Sequence, residues 1–105
     1  MNAETDTQFE NSFVVRAQLI EKSALRYTPA GLPACEFKLE HVSTQMEAGQ
    51  ARTIQCELDA VAYGAVANQL DRIQLGSQLR CSGFIARRSI RTQRLRFHVC
   101  EIKPN

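Results

Sequence analysis

The stretch AYGAVANQLDRI, residues 62–73, is where the hydrophobic pattern of the chain changes its period. Val66, Leu70 and Ile73 recur at helical spacing, which predicts a short amphipathic helix. A Leu-Gly-Ser triplet at 75–77 then ends this helix. The segments on both sides alternate between apolar and polar residues instead, as strands do. The fold class therefore depends on how many strands precede the helix and how many follow it.

Three segments before the helix have strand character. The first is rich in β-branched and apolar residues, and the next two alternate with period two, as half-buried strands do. A turn with two prolines separates the first two strands, and a polar loop with Gly49 separates the second from the third. In chain order these strands and connections are SFVVRAQLIEK (12–22), TPAGLP (28–33), ACEFKLEHVS (34–43), STQMEAGQA (43–51) and RTIQCELDAV (52–61).

Two further strands follow the helix, over about residues 78–87 and 94–102, with SIRTQ as the loop between them. Leu95 and Phe97 share the face of the last strand that we expect to line the core. Gly83, in the middle of the fourth strand, fits the sharp coiling of a barrel. Five strands with one short helix between strands 3 and 4 is the element order of an OB-fold barrel, an all-β class.

The length and composition fit one small domain. The chain has 105 residues, of which 44% are apolar, so a packed core is expected. Residues 1–10 carry three acids and no base, and we expect them to form a disordered acidic tail before an OB-fold domain over 11–105. A basic, apolar leader and an apolar run of membrane-spanning length are both missing, which predicts a cytoplasmic protein that does not contact membranes.

Residues that usually carry catalysis or bind metals are scattered along the chain. The four cysteines stand apart without the CxxC spacing of zinc or redox sites, so we expect mostly buried thiols in a reducing compartment. His41 and His98 lie on different strands without an evident partner, and no nucleophile signature or phosphate-cradling glycine loop occurs. The expectation is a protein that is not an enzyme, with no catalytic residue, no metal and no cofactor.

A run of arginines gives the strongest charge signal. Residues 72–99 contain seven arginines and no acid, although the net charge of the whole chain is only +2. OB barrels bind single-stranded nucleic acid across strands 2 and 3, flanked by the 1–2 and 4–5 loops. Five of the arginines surround the predicted 4–5 loop and would form a basic finger that contacts phosphates: Arg87, Arg88, Arg91, Arg94 and Arg96. The alternative is a solvated hairpin that protects a sheet edge.

The middle of the presumed groove would bind mainly through charge and hydrogen bonds. It offers Gln50, Arg52 and Gln55, none of which is aromatic. Tyr27 and Phe84 are the best candidates for stacking on bases, because Phe13, Phe37 and Phe97 fall on apolar faces.

The segment TPAGLPACEFKLEH, residues 28–41, resembles the primosomal replication protein N family of small bacterial OB-fold proteins, which are relatives of the single-stranded DNA-binding proteins. It follows the pattern Pro-x-Gly-x-Pro and then Cys-x-Phe-x-Leu-Glu-His. The resemblance covers about residues 11–103. Weaker matches within it are Glu47-Ala48-Gly49, Cys56, Gly64, Leu75-Gly76-Ser77, Gly83-Phe84-Ile85 and His98.

The resemblance implies a homodimer that binds single-stranded DNA during replication restart, stimulates the primosomal helicase and helps to bring in other primosome proteins. In this family the basic residues of the 4–5 loop contact both DNA and helicase. These contacts carry over to Arg87, Arg88, Arg91, Arg94 and, for DNA, Arg96. A basic residue near the start of the 1–2 loop carries over to Arg26.

The sequence departs from the family pattern in the groove. Well-known members have an aromatic residue after the Glu-Ala-Gly and a Trp near the start of strand 3, where this chain has Gln50 and Gln55. These departures shift weight toward the helicase as the main partner. The alternative function is an adaptor whose arginine loop docks an acidic protein, with DNA binding weak or incidental.

Overall fold

Six strands and one helix form from residues 10–104, which the computed structural model describes. The acidic tail expected over residues 1–10 falls outside the described residues except for Glu10. In chain order the elements are β1 (Phe13–Lys22), β2 (Arg26–Tyr27), β3 (Pro33–Glu47), β4 (Gln50–Tyr63), α1 (Ala65–Asp71), β5 (Gln78–Arg87) and β6 (Leu95–Pro104).

The sheet closes on itself to form a barrel. Its strand order is β1-β5-β6-β4-β3-β2, and β1 also pairs with β3, so the five long strands complete a ring. The pair β4–β6 is parallel, and the other pairs are antiparallel. This confirms the predicted OB-fold barrel with one short helix. The helix lies between the third and fourth long strands, but the two-residue β2 adds a strand, so it follows β4 in the full numbering.

The hairpin formed by β3 and β4 is longer than the alternation predicted. The polar loop expected over residues 43–51 is instead a continuous antiparallel pairing that runs out to Glu47 opposite Gln50. Ala48 and Gly49 make the turn, and both have positive φ, at 53° and 79°. The prediction was wrong here because these arms extend beyond the barrel and have no buried face, so their sequence does not alternate between apolar and polar.

The core fills the inside of the barrel with the apolar positions of the alternating strands. Phe37 and Leu39 of β3 are buried as expected, and Phe13 meets Phe97 edge to face with ring centroids 4.8 Å apart. Leu95, expected to face the core beside Phe97, is 61% exposed. It is the first residue of β6 and pairs with the last residue of β5, at the strand ends that lead into the loop.

The helix closes one end of the barrel with Ala67 and Leu70 buried. Lys22, the last residue of β1, donates its Nζ to three carbonyls at the end of this helix, those of Leu70, Asp71 and Ile73, at 2.6–3.2 Å. A cation at this end satisfies carbonyls that the helix leaves unpaired. No helix in the described part of the chain is long and apolar enough to cross a membrane.

Gly83 lies where β5 and β6 approach each other most closely. The register of this pair shifts between Ser82 and Gly83, which marks a β-bulge. A Cβ at position 83 would lie 1.8 Å from the carbonyl oxygen of His98, so any side chain would separate the strands. The mid-strand glycine was interpreted as a sign of sharp barrel coiling, and it lies at a bulge where only a residue without a side chain fits.

Candidate nucleic-acid interface

Three of the predicted basic residues meet at one carboxylate on the outer face of the barrel. Glu36 is an outward-facing residue of β3, since its neighbours Cys35 and Phe37 are buried. Its Oε2 lies 3.2 Å from Arg26 of β2 and 3.5 Å from Arg96 of β6, and its Oε1 lies 3.9 Å from Arg88. We call these four residues, Arg26, Glu36, Arg88 and Arg96, the arginine cluster. It joins two regions that are remote in sequence, residues 26–36 and residues 88–96.

The other predicted residues also have polar partners, with two exceptions. Arg94 lies 3.5 Å from Asp59 of β4, and Arg52 pairs with Glu47 across the hairpin turn. Gln55 donates to Glu40 at 3.1 Å. Within residues 10–104, Arg87 and Arg91 have no acid at ion-pairing distance: the pairs found there are Arg26–Glu36, Arg88–Glu36, Arg96–Glu36, Arg52–Glu47 and Arg94–Asp59.

Three of the five arginines around the β5–β6 loop line a cleft between the end of β1, the outer face of β3 and β4, and the loop before β6. Arg88, Arg94 and Arg96 contribute to its wall, together with Lys38 and Asp59. Arg52 and Gln55 lie outside it, on the arms of the hairpin. The structure therefore brings Arg88, Arg94 and Arg96 together at the face predicted for binding. The other predicted loop arginines, Arg87 and Arg91, and the groove residues Arg52 and Gln55 do not line this cleft.

The loop between β5 and β6 is held by its own hydrogen bonds rather than extended as a free finger. The N–H of Arg88 donates to the Arg94 carbonyl at 2.8 Å and closes the loop. Inside it, the hydroxyls of Ser89 and Thr92 accept from the N–H groups of Arg91 and Arg94. Such side-chain-to-backbone bonds stabilise tight turns. At the tip of this loop, Ile90 is 85% exposed and Arg91 is also exposed.

Aromatic rings form a row next to the arginine cluster. Phe84 stacks on His98 with centroids 4.8 Å apart and an angle of 8°, and His98 stacks on Tyr63 at 6.3 Å and 25°. Phe84 was a predicted stacking candidate, whereas Tyr63 and His98 were not. The pairing of Phe84 with His98 follows from the β5–β6 register, which the sequence could not supply because of the bulge. Tyr27, the other candidate, is 64% exposed on β2.

The imidazole of His98 is kept neutral by its surroundings. Burial, and then the positive charge of Arg96, lower the pKa of His98 below the usual 6.5. A neutral ring adds no charge to the row, so His98 contributes a flat face rather than a cation near neutral pH.

The cysteines divide into two buried and two exposed thiols, so the expectation of mostly buried cysteines was only half right. Burial raises the pKa of Cys35 and raises that of Cys81 to about 11, which keeps both thiols protonated and unreactive. Cys56 and Cys100 are exposed. In residues 10–104, no group of three His, Cys, Asp or Glu side chains has the geometry to hold a metal ion.

A second, apolar groove lies between β1 and the base of the β3–β4 hairpin. Val14 and Val42, exposed by 49% and 57%, line it together with Ile54 and Cys56. His41 fixes its wall: Nδ1 donates to the Arg16 carbonyl at 2.6 Å, and Nε2 accepts from the Ser43 hydroxyl at 2.7 Å.

Sequence comparison places the chain among known binding proteins. A family model described as "Another single-strand binding protein family" matches residues 11–101. Replication restart protein PriB of Nitrosomonas europaea is 39% identical over 89 residues, which are 85% of this chain and 82% of the relative. PriB of Bordetella pertussis is 41% identical over 76 residues, 72% of this chain and 71% of the relative. These names describe binding and replication restart rather than a catalysed reaction, in line with a protein that is not an enzyme.

Comparison with solved structures gives relatives from the same families as the sequence comparison. PriB of Ralstonia solanacearum superposes with a TM-score of 0.86 and 35% identity over 91% of this chain and 98% of that one. The single-stranded DNA binding protein of Thermus aquaticus, at 19% identity, shares the fold with a TM-score of 0.73 over 91% of this chain and 50% of its own. The chain therefore belongs to the single-strand binding protein family and, within it, to the replication restart protein PriB family that the resemblance predicted.

Proposed function

We propose that the protein binds single-stranded DNA as an accessory protein of the replication-restart primosome in the bacterial cytoplasm, and that it binds and stimulates the primosomal helicase. The observation that carries the proposal is the convergence of loop arginines on the outer face of β3 and β4. OB barrels bind single strands on this face. Guanidinium groups suit phosphates because their planar fork can donate two parallel hydrogen bonds.

DNA follows the arginine cleft and continues along the hairpin arm in this proposal. The residues that contact it are Arg26, Arg52, Gln55, Arg87, Arg88, Arg91, Arg94 and Arg96. Six of these eight side chains already contact a carboxylate in the free protein. DNA binding would therefore exchange a protein carboxylate for a phosphate at most of these positions. We expect an affinity that is modest and sensitive to salt.

The helicase shares the loop between β5 and β6 with the DNA, through Arg87, Arg88, Arg91 and Arg94. The exposed Ile90 at the loop adds an apolar contact among these cations, a combination that suits a protein surface with acidic residues around a small pocket. An adaptor that uses only this protein contact remains the second candidate, favoured by the glutamines at positions 50 and 55.

A homodimer is also proposed, formed through the apolar groove beside β1. Val14, Val42 and Ile54 leave apolar surface uncovered there, and none of them lines the arginine cleft. A second copy of the chain would bury this surface and leave both arginine loops accessible.

The DNA proposal is tested with a fluorescent dT oligonucleotide. Anisotropy titrations at several NaCl concentrations should show binding that weakens steeply with salt, and Arg91→Ala with Arg94→Ala should flatten that slope. Unchanged binding by the double variant would refute the assignment of the loop.

Two experiments distinguish the adaptor alternative from the DNA-binding proposal. They are a pulldown with the primosomal helicase, with and without single-stranded DNA, and a helicase activity assay. The double variant, if it fails to bind oligo-dT, is then added to the helicase. Full stimulation by that variant would favour the adaptor, and lost stimulation the shared loop.

A further inference from the structure

The arginine cluster holds more positive charge than its carboxylate can neutralise. Three guanidinium groups surround the single charge of Glu36, which leaves an excess of two positive charges within the cluster. Charge of one sign gathered this closely is unfavourable unless an anion is available. The arrangement is that of an anion site with an internal anion in place.

The contacts to Glu36 are long for hydrogen bonds. Arg26 comes within 3.2 Å, but the separations to Arg96 and Arg88 are 3.5 and 3.9 Å, beyond the usual 2.7–3.2 Å of roughly optimal N–H···O geometry. The side chain of Arg96 is only 11% exposed, and its Nε is buried without a hydrogen-bond partner. The guanidinium groups thus have unused donors, which an anion with several oxygens could accept.

The aromatic row lies on the same surface. Glu36 pairs with Val61 across β3–β4, Val61 with His98 across β4–β6, and His98 with Phe84 across β6–β5. The cluster and the stacked rings are therefore two strands apart, on the order of 10 Å at normal strand spacing. Phosphate-binding cations beside ring faces are the combination by which proteins hold single strands, so the neighbourhood favours a nucleic-acid phosphate over a carboxylate of a protein partner.

We propose that the cluster is the subsite for one backbone phosphate of single-stranded DNA, and that the carboxylate of Glu36 occupies this subsite in the free protein. The inference rests on the proposed DNA binding and adds to it a residue that opposes binding. Phosphate must displace or share the arginines with Glu36, so Glu36 lowers both the affinity and its dependence on salt.

The test is the isosteric substitution Glu36→Gln, with Glu57→Gln as the matched control. Glu57 is exposed on β4 beside Glu40, and it has no ion pair within the described residues, so the control removes the same charge from the same sheet. Binding of a fluorescent dT oligonucleotide is measured by anisotropy between 50 and 200 mM NaCl. Glu36→Ser is measured in parallel, and thermal unfolding checks that all variants are folded.

Releasing one further counterion steepens the slope of log K against log salt by about 0.7. If the plots of log K against log salt for the wild type and Glu36→Gln meet near 1 M salt, the variant binds about eightfold tighter at 50 mM and about threefold tighter at 200 mM. Glu36→Ser should give the same gain. Glu57→Gln should change the affinity by less than about twofold and leave the slope unchanged.

Four outcomes overturn the inference, and the first is that the wild-type protein binds oligo-dT and Glu36→Gln binds it no more tightly. Weaker binding by folded Glu36→Gln would make Glu36 an aid to positioning, and an equal gain from Glu57→Gln would reduce the effect to net charge. A gain in helicase binding without a gain in oligo-dT binding would give the subsite to a partner's carboxylate. If the wild-type protein itself binds no oligo-dT, the proposed function fails. If the wild-type protein binds and Glu36→Gln binds no more tightly, only the inference about Glu36 fails.

Discussion

Arginines without an acidic partner should contribute more to DNA binding than arginines already in ion pairs. Arg87 and Arg91 are exposed and lie at ion-pairing distance from no acid in residues 10–104, whereas Arg52 and Arg94 pair with Glu47 and Asp59. An unpaired guanidinium can neutralise a phosphate directly and release the cation condensed on the DNA there. A paired one must first give up its carboxylate, so part of its gain is lost. We therefore compare Arg87→Gln/Arg91→Gln with Arg52→Gln/Arg94→Gln.

The expected magnitude follows from the number of phosphates neutralised. Two lost contacts reduce the salt slope by about 1.4, since each contact on a single strand contributes about 0.7. If the plots of log K against log salt for the wild type and Arg87→Gln/Arg91→Gln meet near 1 M salt, the affinity of the variant is lower by about 70-fold at 50 mM NaCl and by about tenfold at 200 mM. Arg52→Gln/Arg94→Gln should reduce the slope by less than half as much, because an arginine that already pairs with a carboxylate neutralises less of the phosphate charge.

The assay is anisotropy of a labelled dT oligonucleotide over a series of NaCl concentrations. Arg72→Gln/Lys103→Gln is the control, since both residues are exposed, outside the arginine cleft and in none of the ion pairs formed within residues 10–104. It changes the net charge by the same amount as the two test variants. Equal losses in all three double variants would refute the reasoning, because the effect would then depend on net charge alone.

Three further predictions concern stability and assembly. Gly83→Ala should lower the free energy of unfolding in urea by about 3 kcal/mol, because its Cβ would lie 1.8 Å from a backbone oxygen, whereas Gly31→Ala, with open space and a φ of 84°, should lose only about 1–2 kcal/mol. Because the pKa of His98 is lowered in the folded state, stability should fall as pH drops below 6.5, where the unfolded chain binds the proton first; His98→Asn should reduce this fall in melting temperature. Labelling of Cys56 should slow as protein concentration rises if the groove forms the dimer, while Cys100, outside the groove, labels at a constant rate.

The barrel could be predicted because its core strands alternate strictly and one helical segment interrupts them. Residues 34–41 show both faces of β3, and the order of the five long strands around the helix left few closed topologies. The alternation did not predict β2, because a strand of two residues is too short to show a period. It also did not predict the hairpin arms, because both of their faces are in solvent. Periodicity reports burial, so it cannot detect strands that bury nothing.

The binding face was harder to derive than the fold. The arginines were visible as a charge run, but the acids that pair with them lie 35 to 60 residues away in the chain: Glu36 for Arg88 and Arg96, and Asp59 for Arg94. These contacts depend on the parallel pairing of β4 with β6, a crossover that alternation does not encode. The outward-facing residues of β3 could be identified from the sequence. The strand that supplies the arginines they contact could not.

Sharing one loop between two ligands limits what a single copy of the chain can do. Arg87 and Arg91 cannot neutralise a phosphate and an acidic residue of the helicase at the same moment, so in one protomer the proposed ligands compete. A homodimer formed through the groove beside β1 would carry two such loops, because that groove lies away from the arginine cleft. One loop could then hold DNA while the other holds the helicase. We expect the internal pairing with Glu36 and Asp59 to keep each loop's affinity modest, so that either ligand would exchange between the two loops of a dimer. In the proposed function, dimerisation would supply the second loop and the charge pairing would keep that loop available.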